Sequence, residues 1–410
     1  MTAAPLARDL TSGLRAAALE DFYRDLHRHP ELSMREHRTA EKLAARLRAA
    51  GFETTEEVGG TGVVGVLRNG DGPTVMLRGD MDALPVREAT GLAYASEHDG
   101  VMHACGHDLH VTWLAGAAEA LAAGRETWSG TLVAVGQPGE ETGEGARAMV
   151  ADGLHTRFPP PDAVFGQHVA PGPAGLYAHT PGLTMSAATE VDIVIHGTGG
   201  HGSRPESTVD PIVTAAYVVA RLQTVVAREI PAKEQAVLTV GRLHAGSKNN
   251  IIPAEARLGL TLRSQSPRVQ EKLMAGIRRI VTGECAAAGC VKPPEITVGG
   301  EFPATVNDAA LDREVAAVHT ELFGAGSVLD FGPAMGSEDF SLLAPDGVPY
   351  DFWHVPATPD GLWADAPGAD LAEKFGNVPG NHSPLFAPDP AVIVPGVQAM
   401  VAAALTRLTP

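Results

Sequence analysis

The densest group of candidate metal ligands lies between positions 103 and 110. One cysteine, one aspartate and three histidines fall within these eight positions: Cys105, Asp108, His103, His107 and His110. Thiolate and imidazole groups bind zinc and other borderline transition metals. Gly106 separates the cysteine from the next histidine, and the backbone freedom of glycine allows both side chains to turn toward one point. A metal site is therefore favoured over the alternative, a structural thiol beside ordinary surface histidines.

Two pairs of acidic residues each follow an apolar run that predicts a buried strand. Asp80 and Asp82 come after the strand predicted at 74–77, and Glu140 and Glu141 come after the next one. Neighbouring side chains of an extended segment point to opposite sides. One of the two glutamates could therefore bind a metal while the other holds a water molecule. A polar turn at a strand end and a solvated acidic loop are the alternatives.

Two isolated histidines, His168 and His382, add possible ligands. His168 ends the apolar run 163–167, and His382 lies in a loop bounded by Gly380 and Pro384. Each is a weak indication by itself, because a lone histidine is more often a hydrogen-bonded core residue. With the preceding groups they provide a thiolate, three imidazoles and a carboxylate for one or two divalent ions. A spare carboxylate remains as a general base for a metal-activated water.

A glycine-rich segment, residues 196–205, presents a further histidine, His201. The segment has no Gly-Lys-Ser/Thr ending and does not fit the GxGxxG frame, so neither a P-loop nor a dinucleotide site is predicted. A tight turn is the better interpretation. Asn250 and Arg263 add amide and guanidinium donors, and arginine binds a carboxylate through two parallel hydrogen bonds. A structural turn or a surface ion pair is the alternative for each.

The pattern of predicted strands and helices that position these residues changes along the chain. In residues 1–183 apolar runs alternate with helical segments, and in 300–410 two further helices, predicted at 308–323 and 390–408, return to this pattern. This pattern predicts a layered α/β catalytic domain, with a central mixed sheet flanked by helices. In residues 184–299 the strands alternate polar and apolar positions and accompany two helices, which predicts an inserted α+β domain, a ferredoxin-like sandwich. Ligand sites in α/β sheets collect at the carboxyl ends of strands, where most of the candidate residues lie.

Composition narrows the class of protein. The 410 residues carry a formal net charge of −18, which disfavours nucleic acid or an anionic membrane as the main partner. No uninterrupted apolar stretch of the length that a membrane helix needs is evident. The N-terminal residues lack a secretory pattern. Three cysteines are too few for a disulfide framework, so a reducing cytoplasm is expected.

Eight motifs resemble one family and occur in its order. The family is that of the amidohydrolases that include hippurate hydrolases, N-acyl amino acid hydrolases and auxin–amino acid conjugate hydrolases, within the aminoacylase-type dinuclear metallopeptidases. The motifs are HRHPEL at 27–32, RGDMDALP at 78–85, MHACGHD at 102–108, QPGEE at 137–141, GGHGSRP at 199–205, NIIP at 250–253, MGSEDF at 335–340 and NHSP at 381–384.

The resemblance implies a centre of two divalent ions in the larger domain. Zinc, manganese, cobalt and nickel are candidates, and the thiolate favours zinc. Cys105 would bridge the ions, and His107, Glu141, His168 and His382 would complete the ligand set.

The resemblance also assigns roles around this centre. Glu140 would be the general base. His201 would polarise the scissile carbonyl oxygen from the inserted domain, which in this family acts as a lid and usually dimerises. The histidine often comes from the partner subunit. Asn250 and Arg263 match positions near the substrate.

Asp80 and Asp82 differ in the roles expected of them. Asp80 is left out of the ligand set, because the wider superfamily has a histidine there. Asp82 is expected to orient a ligand from behind, as groups hydrogen-bonded to metal ligands do.

The predicted function is metal-dependent hydrolysis of the linear amide bond of N-acyl L-amino acids, with an aliphatic, acetyl or aroyl acyl group. The alternative is a dipeptidase or an N-carbamoyl amino acid hydrolase that uses the same centre. A cysteine hydrolase built on Cys105 and His107 is a weaker alternative, because the two residues are only two positions apart. A non-catalytic metal-binding protein would need a damaged motif, and none is seen.

Overall fold

The computed structural model describes residues 2–409, and these residues form two compact units. The larger unit contains the chain up to Thr184, Val306–Gly332 and the chain from Asp339 onward. The smaller unit contains Met185–Thr305 and Pro333–Glu338. The sequence prediction placed all of 300–410 in the first domain. Residues 333–338 nevertheless belong to the smaller unit. The Ser186 backbone N–H holds them there, because it donates to the carbonyls of Ala334 and Gly336 at 3.1 and 2.9 Å.

An eight-stranded mixed sheet forms the centre of the larger unit, in the order β1-β2-β4-β3-β5-β16-β6-β15. Strands β2 and β6 pair antiparallel with β4 and β16, respectively, whereas strands β4, β3, β5 and β16 run parallel to one another. These strands are buried on both faces, as their nearly continuous apolar sequences require. The strands are β1 Glu53–Val58, β2 Gly62–Asn69, β3 Thr74–Asp80, β4 Gly130–Gln137, β5 Ala163–Pro173, β6 Tyr177–His179, β15 Val328–Asp330 and β16 Tyr350–Thr358.

Helices cover the faces of this sheet. They are α1 Ala3–Ser12, α2 Ala16–Arg28, α3 His37–Ala49, α4 His107–Ala123, α5 Gly145–Ala151, α6 Leu154–Arg157, α9 Ala309–Phe323, α10 Asp360–Asp365, α11 Leu371–Phe375 and α12 Ile393–Leu408. Helix α4 is buried nearly all round, and it packs between the sheet and α12. This position places the N-terminus of α4 at the carboxyl end of the parallel strands.

One apolar helix bears on the expectation about membrane segments. With its initial 3₁₀ turn it spans Pro390–Leu408, and its length and composition would allow it to cross a membrane. However, 67% of this segment is buried inside the protein, where it packs against α4, α1 and α9. Those contacts identify it as a core helix.

The smaller unit has the order β8-α7-β10-β12-α8-β13. Its antiparallel sheet has the strand order β10-β12-β8-β13, which is the ferredoxin-like arrangement. The elements are β8 Ala187–His196, β9 Gly200–His201, α7 Pro211–Thr224, β10 Ala236–Ala245, β11 Ile251–Ile252, β12 Glu255–Ser264, α8 Pro267–Ala288 and β13 Glu295–Phe302. Val191, Ile193 and Ile195 alternate on the face of β8 that α7 and α8 cover. Two short strands, β7 Leu183–Met185 and β14 Thr305–Val306, contain the residues where the chain passes between units.

Candidate metal centre

Gly106 sets the geometry of the densest motif. It precedes α4 with φ +83°, a left-handed conformation that residues with a Cβ rarely adopt. A Cβ added at this position would lie 2.4 Å from Val169 Cγ1, so space also requires glycine. The sharp turn places Cys105 just before the helix and His107 in its first turn. The two side chains thereby approach the same point, as the sequence prediction required.

His107 has one ring nitrogen paired and one facing an open position. Its Nδ1 lies 3.1 Å from Asp82 Oδ1, to which it donates, so the neutral ring keeps its lone pair on Nε2. That Nε2 is buried and has no hydrogen-bond partner among the described residues. It lies 3.8 Å from Glu141 Oε1.

Asp82 connects three parts of the site. While one carboxylate oxygen pairs with His107, the other accepts hydrogen bonds from Ser33 Oγ at 2.7 Å and from the Glu141 backbone N–H at 3.0 Å. The Asp82 side chain is buried. It therefore orients the imidazole and also fixes the backbone that carries Glu141.

Cys105 and His168 meet inside the site. The sulfur lies 3.5 Å from His168 Nε2, and His168 Nδ1 donates to the Val169 carbonyl at 2.7 Å. This second bond leaves the Nε2 lone pair facing the thiol. Burial raises the pKa of Cys105, but the neighbouring imidazoles of His168 and His107 outweigh it and hold this pKa well below its usual range. The thiolate is therefore the favoured form, and it is the form that binds metals.

Glu141 and His382 close the other side. His382 Nε2 lies 3.5 Å from Glu141 Oε2, and the His382 backbone N–H donates to the Ala104 carbonyl at 2.7 Å. Burial, and then the charge of Cys105, raise the pKa of Glu141 to about 7. Hydrogen bonding to Cys105 and Glu141 raises the pKa of His382 to about 10. A compact group of negative charge thus attracts a cation at this point.

The unpaired atoms indicate whether metal ions fit. His107 Nε2 and Glu141 Oε1 are both buried without hydrogen-bond partners. One ligand atom each from Cys105, His107 and Glu141 falls within 4.8 Å of the others. Buried polar atoms normally have partners, and soft sulfur with imidazole and carboxylate is a ligand set for borderline divalent ions. The residues present therefore fit the predicted metal centre.

The structure separates two other histidines of the motif from this role. His110 Nδ1 donates to Asp80 Oδ1 at 2.6 Å, and His110 Nε2 accepts from the Val169 N–H at 2.8 Å, so both nitrogens are used. His103 is fully buried, and burial lowers its pKa to about 4. It belongs to none of the possible ligand groups found in the described residues.

Asp80 lies next to the ligands. Its Oδ2 is 3.3 Å from His107 Nε2 and 3.0 Å from Arg78 Nη1. The buried arginine balances the charge of this carboxylate. Asp80 thus belongs to a salt bridge beside the centre, although the distance to His107 also allows it to bind an ion.

Glu140 takes a separate direction from Glu141. Its side chain is buried, and one of its oxygens lies within 4.8 Å of an oxygen of Asp339. It is absent from the ligand group around Cys105, as far as the described residues show. The two adjacent glutamates thus have different surroundings, as expected for an extended segment.

The smaller unit carries the remaining predicted residues. His201 is exposed on β9, and its Nδ1 accepts a hydrogen bond from the Ser203 N–H at 3.1 Å, so the ring proton lies on Nε2. Asn250 is exposed, and its carbonyl accepts from the Gly202 N–H at 2.9 Å. Arg263 Nη1 donates to the Met335 carbonyl at 2.9 Å and lies 3.2 Å from Ser337 Oγ. His201 and Asn250 therefore lie at the pairing of β9 with β11, where Ile251 is opposite His201, while the Arg263 guanidinium contacts the 333–338 segment.

Sequence reasoning missed Asn381 and Ser33. Asn381 Nδ2 lies 3.2 Å from the carbonyls of both Cys105 and Val169 and 3.7 Å from Cys105 Sγ. Its position next to His382 in the NHSP motif could have suggested this contact. Ser33 is separated from its partner Asp82 by 49 positions, and no pattern in the sequence links the two.

Comparison with known proteins places this geometry in a family. The model of the family described as Peptidase family M20/M25/M40 matches residues 76–373. The chain belongs to this family. The M20 family assignment confirms the resemblance seen in the eight motifs, and it makes the protein a metal-dependent hydrolase of amide bonds.

Three similar proteins illustrate the M20 relationship. Thermostable carboxypeptidase 1 of Saccharolobus solfataricus is 38% identical over 323 residues, 78% of this chain and 80% of that protein. Hippurate hydrolase of Campylobacter jejuni is 38% identical over 330 residues, 79% of this chain and 84% of that protein. A Bacillus subtilis protein described as a dinuclear metal binding peptidase from M20 family has a solved structure with 28% identity and TM-score 0.75, covering 95% of this chain and 98% of that chain. This likeness confirms the predicted fold class.

Proposed function

We propose that the protein hydrolyses N-acyl L-amino acids to a carboxylic acid and a free amino acid. The observation that carries the proposal is the convergence of Cys105, His107 and Glu141, in which His107 Nε2 and Glu141 Oε1 are buried without hydrogen bonds. Similarity to the Campylobacter jejuni hippurate hydrolase supports this substrate class.

Two divalent ions would be held by five side chains of the larger unit: Cys105, His107, Glu141, His168 and His382. Zinc, manganese, cobalt and nickel all suit this set, and the sulfur favours zinc. When bound, such ions supply Lewis acidity toward water and the amide carbonyl. Cys105 is assigned as the bridging ligand. Asp82 holds His107 in the tautomer that presents Nε2.

Glu140 would move the proton during the reaction. Its carboxylate would accept a proton from the attacking water and then donate it to the leaving nitrogen. Glu140 suits this role because it is buried beside Glu141 without belonging to the ligand group.

His201 would donate a hydrogen bond to the carbonyl oxygen. Its Nε2 carries the proton because Nδ1 accepts from the Ser203 N–H. A hydrogen-bond donor in place before the reaction stabilises the developing negative charge. Asn250 and Arg263 would contact the polar groups of the substrate. The carbonyl and hydroxyl contacts of Arg263 Nη1 hold its guanidinium in one orientation.

The smaller unit would act as a lid and dimerise, so that His201 could serve its own centre or that of the partner subunit. Exposed apolar side chains support a dimer: Ile212, Val213, Tyr217 and Leu243 are 42%, 51%, 60% and 48% exposed. Large exposed apolar patches mark interaction sites. The three free cysteines are consistent with a cytoplasmic location. Neither nucleic acid nor membrane is proposed as a partner.

A peptidase is the second candidate function. Similarity to thermostable carboxypeptidase 1 of Saccharolobus solfataricus favours it, because that relative is as similar as the hippurate hydrolase. The same centre could also act on N-carbamoyl amino acids. These alternatives share the chemistry and differ in the group that occupies the acyl pocket.

The decisive experiment is a substrate panel. Protein reconstituted with zinc, manganese, cobalt or nickel is given N-acetyl, N-benzoyl, N-carbamoyl and N-aminoacyl derivatives of the same amino acids, and amine release is measured. The proposal expects the highest kcat/KM on the N-acyl compounds and loss of turnover with a chelator. Preferred cleavage of the N-aminoacyl derivatives would instead support the peptidase. Activity that resists chelation would support the cysteine hydrolase.

A further inference from the structure

A second group of buried ionisable side chains lies in the larger unit, away from the motifs discussed above. His179 ends β6, Asp312 lies on α9 and Asp351 lies on β16. All three are almost inaccessible to solvent, with exposed fractions of 3%, 1% and 0%. One ligand atom from each falls within 4.8 Å of the others. None of the three belongs to the motifs that define the catalytic centre.

A chain of hydrogen bonds fixes the tautomer of His179. The Ala399 carbonyl is 2.9 Å from His319 Nε2, and because a carbonyl only accepts, that nitrogen carries the proton. His319 is buried and its pKa is held well below the usual value, first by burial and then by His179, so its Nδ1 is an acceptor. His179 Nε2, at 2.9 Å, donates to it. In a neutral His179 the lone pair therefore lies on Nδ1.

This lone pair faces two carboxylates. His179 Nδ1 is 3.3 Å from Asp312 Oδ1, a hydrogen bond when this nitrogen carries a proton, and 3.9 Å from Asp351 Oδ2. Neither oxygen of Asp351 has a hydrogen-bond partner of ordinary length and angle among the described residues, although the Asp312 carboxyl and the Phe352 backbone N–H are close to it. Burial, and then the Asp312 carboxylate, raise the pKa of Asp351 well above its usual value. Three electron-rich groups surround one point, so a positive charge is required there.

The surrounding residues resemble the support that metal ligands receive. A histidine ligand usually donates its other N–H to an acceptor, and ligating carboxylates are hydrogen-bonded in turn. His319 accepts from His179, and the Asn307 amide lies 3.4 Å from Asp312 Oδ1. Asn307 is itself held by the Phe352 N–H and carbonyl, each at 2.9 Å.

Charge and distance favour a divalent ion over a proton. A neutral imidazole with two carboxylates carries two negative charges, which one divalent ion balances and one proton does not. Tetrahedral sites with bonds of about 2.1 Å place neighbouring ligand atoms about 3.4 Å apart. The distances from His179 Nδ1 to the two carboxylates, 3.3 and 3.9 Å, are close to this value. Asp351 has both oxygens available, so it can bind through two atoms.

We propose that His179, Asp312 and Asp351 form an additional binding site for a single divalent transition-metal ion, with zinc as the preferred occupant. The site joins β6, α9 and β16. It is closed to solvent, as structural metal sites are, whereas a catalytic site keeps a position open. Its role is therefore to stabilise the larger unit. The inference does not depend on the proposed function.

The first test is the zinc content of the full-length protein after exposure to zinc and exhaustive dialysis. Wild type is expected to retain one more zinc per chain than Asp351→Asn. Asp346→Asn, which removes an exposed carboxylate from the same unit, is the matched control and should retain the wild-type amount. Equal zinc in wild type and Asp351→Asn would overturn the site.

A second variant separates this site from the catalytic centre. Cys105→Ala combined with Glu141→Gln removes ligands of the catalytic centre only, and it should still retain one zinc that adding Asp351→Asn eliminates. Reconstitution with cobalt gives an independent measure, because the sulfur-to-cobalt absorption band that disappears in Cys105→Ala reports on the catalytic centre. Loss of cobalt from Asp351→Asn with this band unchanged supports the proposal. Loss of the band instead would assign the missing metal to the catalytic centre.

Thermal unfolding distinguishes a metal ion from a proton. With chelator present, Asp351→Asn should be as stable as wild type or more stable, because it removes one of two facing carboxylates. Added zinc should raise the Tm of wild type more than that of Asp351→Asn. The same zinc response in both proteins would show that only a proton resides there. Should Asp351→Asn fail to fold, anomalous scattering at the zinc edge from wild-type crystals decides: a peak beside His179 Nδ1 supports the site, and none overturns it.

Discussion

Two buried histidines, His27 of α2 and His107 of α4, illustrate what makes a metal ligand in this protein. Both lie close to the N-terminus of α4. His27 has carboxylate oxygens at both ring nitrogens, Asp108 Oδ2 at 2.6 Å from Nδ1 and Glu88 Oε1 at 3.4 Å from Nε2. Burial lowers the pKa of His27, but the two carboxylates outweigh it and raise this pKa to about 9. The ring is therefore a cation with two donors and no lone pair.

His107 is equally buried and also lies among carboxylates, yet only its Nδ1 is hydrogen-bonded. Its Nε2 lies 3.3 Å from Asp80 Oδ2 and 3.8 Å from Glu141 Oε1 without a hydrogen bond to either, so an ion can bind between these groups. The difference shows that neither burial nor the number of histidines identifies a ligand. The identifying feature is a ring nitrogen that makes no hydrogen bond and lies beside other possible ligands, while the opposite nitrogen is fixed. In His179 the Nε2 nitrogen is likewise fixed by His319, while Nδ1 lies 3.3 Å from Asp312 Oδ1.

The sharpest test of this distinction compares the two adjacent glutamates. Glu140→Gln should keep the metal content of wild type and lower kcat by about 10²–10⁴, the usual contribution of a general base. Glu141→Gln should lose metal, because it removes a ligand atom. Elemental analysis and steady-state rates measure both. Metal loss in Glu140→Gln with metal retained in Glu141→Gln would mean that the two roles are exchanged.

His201 provides the opposite case to His168. His168 donates from Nδ1 and keeps a lone pair on Nε2, whereas His201 accepts at Nδ1 and carries its proton on Nε2. A ligand is expected from the first and a donor from the second. His201→Ala should lower kcat by about 10²–10³, the usual effect of removing one oxyanion donor, without changing the metal content.

Ser203→Ala is the control for that comparison. It removes the hydroxyl that lies 2.7 Å from His201 Nδ1 but keeps the backbone N–H that fixes the tautomer. Its rate should stay much closer to that of wild type than the rate of His201→Ala. Near-normal turnover in His201→Ala itself would remove this residue from the mechanism.

Asp82 tests whether fixing the opposite nitrogen matters. Asp82→Asn removes the charge that orients His107 and should weaken metal binding by about 10–100-fold, as is usual for groups behind a ligand. Competition with a chromophoric chelator measures this affinity. Ser33→Ala removes a hydrogen bond from the other oxygen of Asp82 and keeps the charge, so its effect should be smaller. Unchanged affinity in Asp82→Asn would mean that the imidazole is oriented by other contacts.

Much of the architecture could be predicted because the patterns are local. Apolar runs and the change to alternating strands depend on neighbouring residues, and so do the motif residues at strand ends. Strand β16 was not predicted, because Asp351, His354 and Pro356 interrupt its apolar run. The protein accommodates them because β16 lies between β5 and β6. In the strand pairing, His354 is opposite His168 of β5 and Ala178 of β6.

The pairing of ring nitrogens could not be predicted, because it depends on distant residues. His110 has the spacing of a possible ligand, but the Val169 N–H, 59 positions away, uses its second nitrogen. His179 gave no indication in the sequence, since its partners Asp312 and Asp351 are 133 and 172 positions away along the chain. Side-chain types alone suggest possible ligands, and the tertiary structure decides which nitrogen remains available.

The smallest expected effect concerns His27 and stability. Its pKa of about 9 in the folded protein exceeds the usual 6.5 of the unfolded chain. The stabilisation is therefore fully present below pH 6.5 and is lost as the pH rises through about 9. Between pH 7 and pH 9 the difference in unfolding free energy between wild type and His27→Gln should fall by about 2 kcal/mol.

Urea unfolding at pH 7, 8 and 9 with constant zinc measures this slope, and taking the difference between the proteins cancels effects of metal binding. Arg24→Gln is the control, because an arginine beside the same Tyr94 ring does not titrate in this range. Its difference from wild type should stay flat. A flat difference for His27→Gln as well would mean that His27 is neutral, with a lone pair on one nitrogen, and the contrast with His107 would then rest on partner geometry alone.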